Sequence, residues 1–430
     1  MQSFLCKPLF LCKILSKTDK YDIYINNIKL EYMGYIMKVL LINQFPLFGG
    51  GSGIYTKNLA KSLTALGHEV QIIIPENTTQ IENIEKVKIN PVFFKYKEEI
   101  PGQLPFNFPC FTTHPRSNLT FNDLTNEQLK MYEEAFRQKM EKVIDEFKPD
   151  IIHSGHIWIL SSIATEFNIP TIVSSHGTDI LGYDAWERFH IYSNNAIKKC
   201  KNIITISESN NEQVLQKFPQ AKSKIVNIVN GYDQDTFYIK EYNQKDILKK
   251  IGINGTYNKI VLSSGRLVHV KGIDILLQAA KIYEKDDILT LIVGEGILHK
   301  ELEEQAKELN LKNVYFLGAK TQQDLNELYN IADITVLSSR YEGLALVVLE
   351  SLAAGTPVVV TDIEAMLKFM KKDYGVIVEK ENPTELATGI MEALSEKNKY
   401  DTEKVVEDMK ENYSTKKIIN KIIDLYKIYL

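Results

Sequence analysis

From Met37 onward the chain alternates short apolar runs with longer segments of helical periodicity, and that alternation narrows its fold more than any other feature. KVLLIN (38–43), YTKNLAKSLTALG (55–67) and HEVQIIIP (68–75) form a first strand–helix–strand unit, its helix stopped at Gly67. Further strand-like runs follow in KPDIIHSGH, TIVSSHG, KNIITIS and KIVNIVNG. A second series reads KIVLSSGRL, ILTLIVGEG, NVYFLGA, DITVLSS, PVVVTD and GVIVEK. Short, uniformly apolar runs of this kind suit strands buried on both faces, which means parallel sheets covered by crossover helices. The fold expected is α/β, with two Rossmann-like doubly wound domains facing across a cleft.

Between the two series the chain turns polar and lysine-rich (YNQKDILKKIGINGTYNK, 242–259), as a linker would. The division expected is therefore an extension over 1–36, a first domain over 37–240, a second over 241–405, and a C-terminal segment over 406–430. In that last segment Ile418, Ile419, Ile422, Ile423 and Tyr426 fall at helical spacing with lysines opposite, so it should pack back on the body. A membrane-surface role is the weaker reading of the same pattern. In the first 36 residues, Lys7, Pro8 and Lys13 interrupt an apolar flavour too short to span a bilayer, and no small-residue cleavage site follows. MKVLLINQFP reads as a start followed at once by a buried strand, which makes Met37 or Met33 the expected first residue.

Composition excludes some classes. A net charge of −4 offers no basic footprint for nucleic acid. Cys6, Cys12, Cys110 and Cys200 lack the spacing of a zinc site or a disulfide framework, so a reducing cytoplasm is expected, with peripheral contact at the inner face of the membrane left open.

Two stretches of the second series carry chemistry. In SSGRLVHVKG (263–272), Gly265 ends a strand and the cations Arg266 and Lys271 follow, well placed to grip a diphosphate. In EGLALVVLE (342–350), Glu342 and Glu350 bracket seven uncharged residues. On one straight helix the two acids would stand roughly 80° and about 12 Å apart. The flanks instead predict strand, turn, helix, strand, with Glu342 and Gly343 in the turn and the helix starting near Leu344. Free N–H groups of Leu344, Ala345 and Leu346 then favour an anion in the crevice. Acids beside an anion site make sense if they meet neutral hydroxyls, because ionised carboxylates accept the paired donors of a diol. Solvated surface glutamates are the plain alternative.

GRL-x3-KG-x-D, IVGEG and EGLALVVLE followed by SLAAGTPVV resemble, in order and spacing, the donor domain of family 4 retaining glycosyltransferases of GT-B fold. PLFGGGSG (46–53), GHEV (67–70), SSHGTD (174–179), ITISES (204–209) and NGYDQDTF (230–237) agree, and the likeness runs from Met37 to about 400. The resemblance implies a nucleotide-diphosphate sugar as donor substrate and no cofactor. It implies Arg266 and Lys271 on the diphosphate, Glu350 on the ribose, and Glu342 on the hydroxyls of the transferred sugar. Backbone at Gly265, Gly294, Gly318, Gly343, Leu344, Ala345 and Leu346 would line the donor, Gly51 would let the first domain approach the phosphates, and His176 would lie beside the reacting carbon. Retention by same-face attack, with the departing phosphate taking the acceptor's proton, is likewise the family's inference.

No metal is expected, the sole Asp-x-Asp candidate beside the phosphates, Asp233-Gln234-Asp235, reading as part of a turn. His114 and Arg116 sit in the aromatic, proline-rich stretch 101–121, read as a lid on the acceptor side, with a packed loop as the alternative. His156 and Asp179 are further acceptor-side candidates. His153 and His156 have zinc-like spacing but no third ligand nearby. The pattern departs from the family at TDIEAMLKF (361–369), where a glycine pair is usual, and at Leu344-Ala345, where Phe-Gly is usual. The acceptor is left open among glycan, lipid and small metabolite. Competing readings are a sugar-nucleotide epimerase, a non-catalytic nucleotide-sugar binder, and an NAD-dependent oxidoreductase suggested by GGGSG with Glu76 as a ribose contact.

Overall fold

The apolar runs pair side by side in two parallel sheets. In the computed structural model, which describes residues 35–112, 114–284, 287–342, 345–396 and 400–430, the first sheet holds seven strands. They are β1 (Lys38–Ile42), β2 (Glu69–Glu76), β3 (Val87–Phe93), β4 (Ile151–Gly155), β5 (Thr171–Ser175), β6 (Asn202–Thr205) and β7 (Ile225–Asn227). Their order is β3-β2-β1-β4-β5-β6-β7, all parallel, with Val39 opposite Val70 on one side and Ile151 on the other. The second sheet holds β8 (Lys259–Ser264), β9 (Ile288–Val293), β10 (Val314–Phe316), β11 (Ile334–Leu337), β12 (Val358–Thr361) and β13 (Gly375–Val378). Its order is β10-β9-β8-β11-β12-β13, again all parallel. Strand order reverses between β1 and β4 and between β8 and β11, and ligands of doubly wound sheets bind outside the carboxyl ends at such reversals.

Three segments differ from expectation. Strand β3 is absent from the sequence reading because Pro91 interrupts its pattern; the strand lies at the sheet edge, where a missing N–H is tolerated. The polar stretch after 240 contains a helix, Gln244–Lys250, capped by the Asn243 side chain and burying Ile247 and Leu248, so it is not a bare linker. The stretch 101–121 is a packed loop and not a lid: Phe106, Phe108, Cys110, Phe111 and Phe121 are buried in the core of the first lobe beside Tyr132, Phe136 and Trp158. The reading of residues 1–36 as an extension falls almost wholly outside the described residues.

The chain crosses between lobes twice. Helix Thr402–Tyr413 packs on helix Leu346–Ala353 and puts Val405 and Met409 into the second core. At Ser414 the chain turns, and helix Thr415–Lys427 returns to the first lobe, so the crossing comes later than residue 405. Tyr232 clasps the turn: its N–H donates to Tyr413 O at 3.0 Å and its carbonyl accepts from the Thr415 N–H at 2.9 Å. The returning helix buries Ile418, Ile419, Ile422, Ile423 and Tyr426 and packs on helix Gly51–Ala65. Among the described residues no helix is long and apolar enough to cross a membrane.

Candidate active site

The floor of the site in the second lobe is backbone packed on backbone. The Gly265 N–H donates to Val293 O and the Gly294 N–H to Gly318 O, both at 2.9 Å, which zips together the loops that leave β8, β9 and β10. A Cβ on Gly294 would lie 1.8 Å from Gly265 O, and its φ of +138° is one that L side chains rarely adopt. Three glycines singled out in the sequence thus meet at the ends of three adjacent strands.

Lys271 and Glu342 come from loops after β8 and β11. Lys271 Nζ stands 2.5 Å from Glu342 Oε1, which also accepts from the Ser339 hydroxyl at 2.7 Å. Both side chains are mostly buried. Arg340 braces this juxtaposition: its guanidinium forks onto Asp274 at 2.8 and 2.7 Å, and its N–H donates to Val270 O. The Asp of KG-x-D therefore ties the two loops together. Arg266 is exposed, and among the described residues no carboxylate pairs with it.

Glu350 lies half-buried in helix Leu346–Ala353, which starts two residues later than expected. Gly343 and Leu344 lie outside the described residues. The Tyr329 hydroxyl donates to Glu350 Oε2 at 3.1 Å and is itself 2.8 Å from Ser264 Oγ. Desolvation pushes the Glu350 carboxyl up to about 7; the Tyr329 hydrogen bond opposes that and the Asp233 charge adds to it. Asp233 is occupied in its own turn, accepting from the Asp235 N–H at 3.0 Å and the Thr236 hydroxyl at 2.8 Å. The helix has Ala345 as its N-cap and no side-chain cap, so its first N–H groups keep their preference for an anion.

In the first lobe, Gly51 opens helix Gly51–Ala65, also without a side-chain cap. A Cβ on Gly51 would meet nothing within 4 Å, whereas one on Gly53 would lie 2.2 Å from Pro46 O. Gly53, missed by sequence reasoning, is the residue that lets the loop double back on the helix. Gly51 and Leu346, first residues of helices from opposite lobes, line one pocket of about 460 Å³, part of it open to solvent, whose other walls are mainly apolar, with Ile54, Leu59, Ile418 and Ile422, and do not include Lys271, Glu342 or Glu350. His176 packs its ring 5.1 Å from Tyr55 and 4.8 Å from His156, and its Nε2 is buried without a hydrogen-bond partner. His156 has φ +70°, an uncommon backbone state for a non-glycine residue, and its Nδ1 is likewise unpartnered. Burial lowers His153, His156 and His176 to about 3, so all three are neutral near pH 7.

The remaining acceptor-side candidates are held by protein partners. Asp179 is buried and accepts from the Ile157 N–H at 2.9 Å, the His176 N–H at 3.1 Å and the Ser175 hydroxyl at 3.2 Å. Its carboxylate is thus taken up by the turns that carry His156 and His176. His153 lies 2.5 Å from both the Tyr426 hydroxyl and Ser174 Oγ, a use that leaves the zinc-like spacing without a role. His114 Nε2 donates to Phe48 O at 2.9 Å while Nδ1 accepts from the Arg116 N–H at 3.2 Å. Arg116 pairs with Glu76 at 2.8 Å. Glu76, the ribose contact of the oxidoreductase reading, is therefore buried against a guanidinium. The structure thus gathers Lys271, Glu342, Glu350 and the glycine floor at one sheet's carboxyl ends. Sequence reasoning missed Tyr329, Ser339 and Arg340, whose roles depend on contacts distant in sequence.

Residues 49–236 match the family model described as Glycosyltransferase Family 4, and residues 243–413 match that of Glycosyl transferases group 1. The chain belongs to the family 4, group 1 glycosyltransferases. An uncharacterized glycosyltransferase of Methanocaldococcus jannaschii is 29% identical to this glycosyltransferase over 400 residues, 89% of this chain and 95% of the relative. The N-acetyl-alpha-D-glucosaminyl L-malate synthase of Bacillus anthracis is 24% identical over 393 residues, covering 88% and 93%. Among solved structures, sucrose-phosphate synthase from Thermosynechococcus elongatus superposes with a TM-score of 0.70 at 19% identity, covering 91% of this chain and 98% of the other. Anabaena HepE in complex with UDP does so with a TM-score of 0.70 at 16% identity, covering 91% and 100%. The two lobes of this glycosyltransferase form a GT-B fold.

Proposed function

We propose that this glycosyltransferase moves a sugar from a nucleoside-diphosphate sugar to an acceptor hydroxyl with retention of configuration and without a metal ion. The observation that carries the proposal is that Lys271, Glu342, Glu350 and the Gly265–Gly294–Gly318 backbone floor gather at the carboxyl ends of one parallel sheet, with the uncapped start of helix Leu346–Ala353 leading to Glu350. A helix N-terminus favours an anion, and Lys271 and Arg266 leave β8 to supply positive charge. As the glycosidic bond breaks, charge grows on the departing phosphate, so these groups stabilise the transition state more than the ground state. Donor binding exchanges partners within the Lys271–Glu342 pair: the phosphate takes the ammonium and the sugar hydroxyls take the carboxylate. Glu350 holds the ribose. The neutral His176 ring borders the reacting carbon, and the acceptor proton passes to a phosphate oxygen on the same face. UDP and UDP-glucose bound to the structural neighbour HepE support a nucleotide donor, with the base unassigned.

A thermal-shift screen of nucleoside diphosphates and their sugars tests this, because a tight donor raises the melting temperature by mass action. We expect stabilisation by at least one, unchanged by EDTA, and lost in Lys271→Ala. NMR of the first product formed should show the donor's anomeric configuration. Inverted product, or transfer abolished by EDTA and restored by a divalent ion, would refute the corresponding part. A donor isomerised without acceptor would favour the epimerase reading.

A further inference from the structure

The lobes also touch through helix Glu208–Lys217, which follows β6, and helix Glu364–Phe369, which follows β12. We propose that Ser209, Glu212 and Gln213 of the first lobe and Tyr341, Glu364 and Lys368 of the second form a salt-sensitive latch, which holds the cleft closed at rest and has to release before a nucleotide enters or leaves. The proposal rests on the glycosyltransferase reading above and adds a gate to its donor site.

Helical spacing sets one half of the contact. Glu212 and Gln213 stand three and four places after Ser209, so all three share a face of their helix. The Ser209 hydroxyl donates to Glu364 Oε2 at 3.5 Å, Glu212 pairs with Lys368 Nζ at 2.5 Å, and Gln213 Nε2 donates to the Tyr341 hydroxyl at 3.2 Å. Lys368 is steadied from its own helix by Glu364, one turn earlier, at 2.9 Å. Glu364 and Lys368 lie in TDIEAMLKF, the stretch where the family pattern usually has a glycine pair. Glycine has no side chain with which to reach the first lobe; the helix that stands here does.

The contact leads to the reacting groups from both sides. Tyr341 directly precedes Glu342, the partner of Lys271. In the first lobe Asn210, on the helix that carries the latch residues, donates to the Ser175 hydroxyl at 2.9 Å; Ser175 in turn donates to Asp179, which also accepts from the His176 N–H. In the proposed reaction the donor sugar lies between Glu342 and His176, so the latch ties together the two turns that a ligand has to pass. The Glu212, Glu364 and Lys368 side chains are partly exposed, and an exposed ion pair shifts an equilibrium by about fivefold at most and is screened by salt. That weakness suits a gate, which opens in every catalytic cycle. The pivot is built differently: Tyr232 holds Tyr413 and Thr415 through backbone groups, and a Cβ on the adjoining Gly231 would lie 2.7 Å from Tyr413 O. The crossing chains therefore stay joined while the side-chain contacts of the latch break.

The latch favours the closed state with and without nucleotide, so weakening it speeds entry and exit alike and barely moves affinity. The test uses the full chain in stopped-flow mixing with a nucleoside diphosphate selected by thermal shift and carrying a fluorescent base. At low salt Lys368→Glu should raise the association and dissociation rates about fivefold each, with Kd changed by less than about twofold. Adding Glu212→Lys, which swaps the two charges, should restore the slow rates. In about 1 M salt, where the Debye length is about 3 Å, the altered and unaltered chains should converge. Low-salt rates that Lys368→Glu leaves unchanged overturn the proposal, as does a weaker Kd at an unaltered association rate, or a charge swap that restores nothing. If the unaltered chain binds no nucleoside diphosphate, the proposed function falls and the gate with it; normal binding at rates indifferent to the latch overturns this inference alone.

Discussion

At the scale of single residues, Glu350 carries an unusual proton. With its carboxyl raised from an ordinary 4.5 to about 7, the folded chain binds a proton there that the unfolded chain has released. Stability from this group therefore falls as pH rises across that window. A ribose diol donates to the ionised carboxylate, so nucleotide binding should expel the proton. Calorimetry near pH 6.5 in buffers of differing protonation enthalpy should register release of most of one proton per nucleotide, and affinity should weaken up to about tenfold for each pH unit below 7. Glu350→Gln should abolish both; proton-neutral binding by the unaltered chain would defeat the assignment. The acid itself was legible in EGLALVVLE because its spacing is local. Its environment was not, because Tyr329 lies in another helix and nothing in ELYNIAD marks its hydroxyl for Glu350. Asp179 shows the converse: a polar residue in a good motif whose carboxylate is consumed by backbone N–H groups and the Ser175 hydroxyl.

Among elements, the glycine-rich entry to helix Gly51–Ala65 separates two roles that look alike in sequence. Gly53→Ala forces a Cβ against Pro46 O and should destabilise the chain by about 3 kcal/mol, read from urea unfolding. Gly51→Ala has open space around the new methyl, so its melting temperature should shift by no more than a few degrees while nucleoside diphosphate affinity drops several-fold. Equal stability losses for the two would contradict this division. The run GGGSG marked Gly51 for an approach to the phosphates but gave no sign that Gly53 packs against Pro46 O, since that depends on where the preceding loop folds back. Twelve of the strands stood out as short apolar runs, and those inside the sheets, such as β4, β5 and β9, are buried on both faces, which demands continuous apolar side chains. β3 did not, because at the sheet edge a strand can carry Pro91 and the charged, exposed Lys88. The stretch 101–121 misled for a related reason: its phenylalanines have neither period, so the sequence could not show that they fill a core.

For the molecule as a whole, the two lobes are tied unequally. On one side helix Thr415–Lys427 is seated by six buried apolar or aromatic positions and by the Tyr426 hydroxyl at His153. On the other, the contacts are polar and exposed: Lys368 pairs with Glu212 at 2.5 Å and Gln213 donates to the Tyr341 hydroxyl at 3.2 Å. Exposed pairs of this kind contribute little and are screened by salt. Tyr426→Phe leaves the His153 ring nitrogen buried without its partner and should cost about 2 kcal/mol. Chemical denaturation should show that loss with an unchanged slope; a loss below about 0.5 kcal/mol would mean the hydroxyl is dispensable.

His153 and Tyr426 are 273 positions apart, and the segment that seals the first lobe is made only after the whole second lobe. During synthesis the early strands and their helices wait with an oily groove uncovered, so the amino-terminal half stays immature until translation has passed Tyr426. Nascent chains arrested before that point would be substrates for chaperones and proteases, which links the completeness of the polypeptide to its survival.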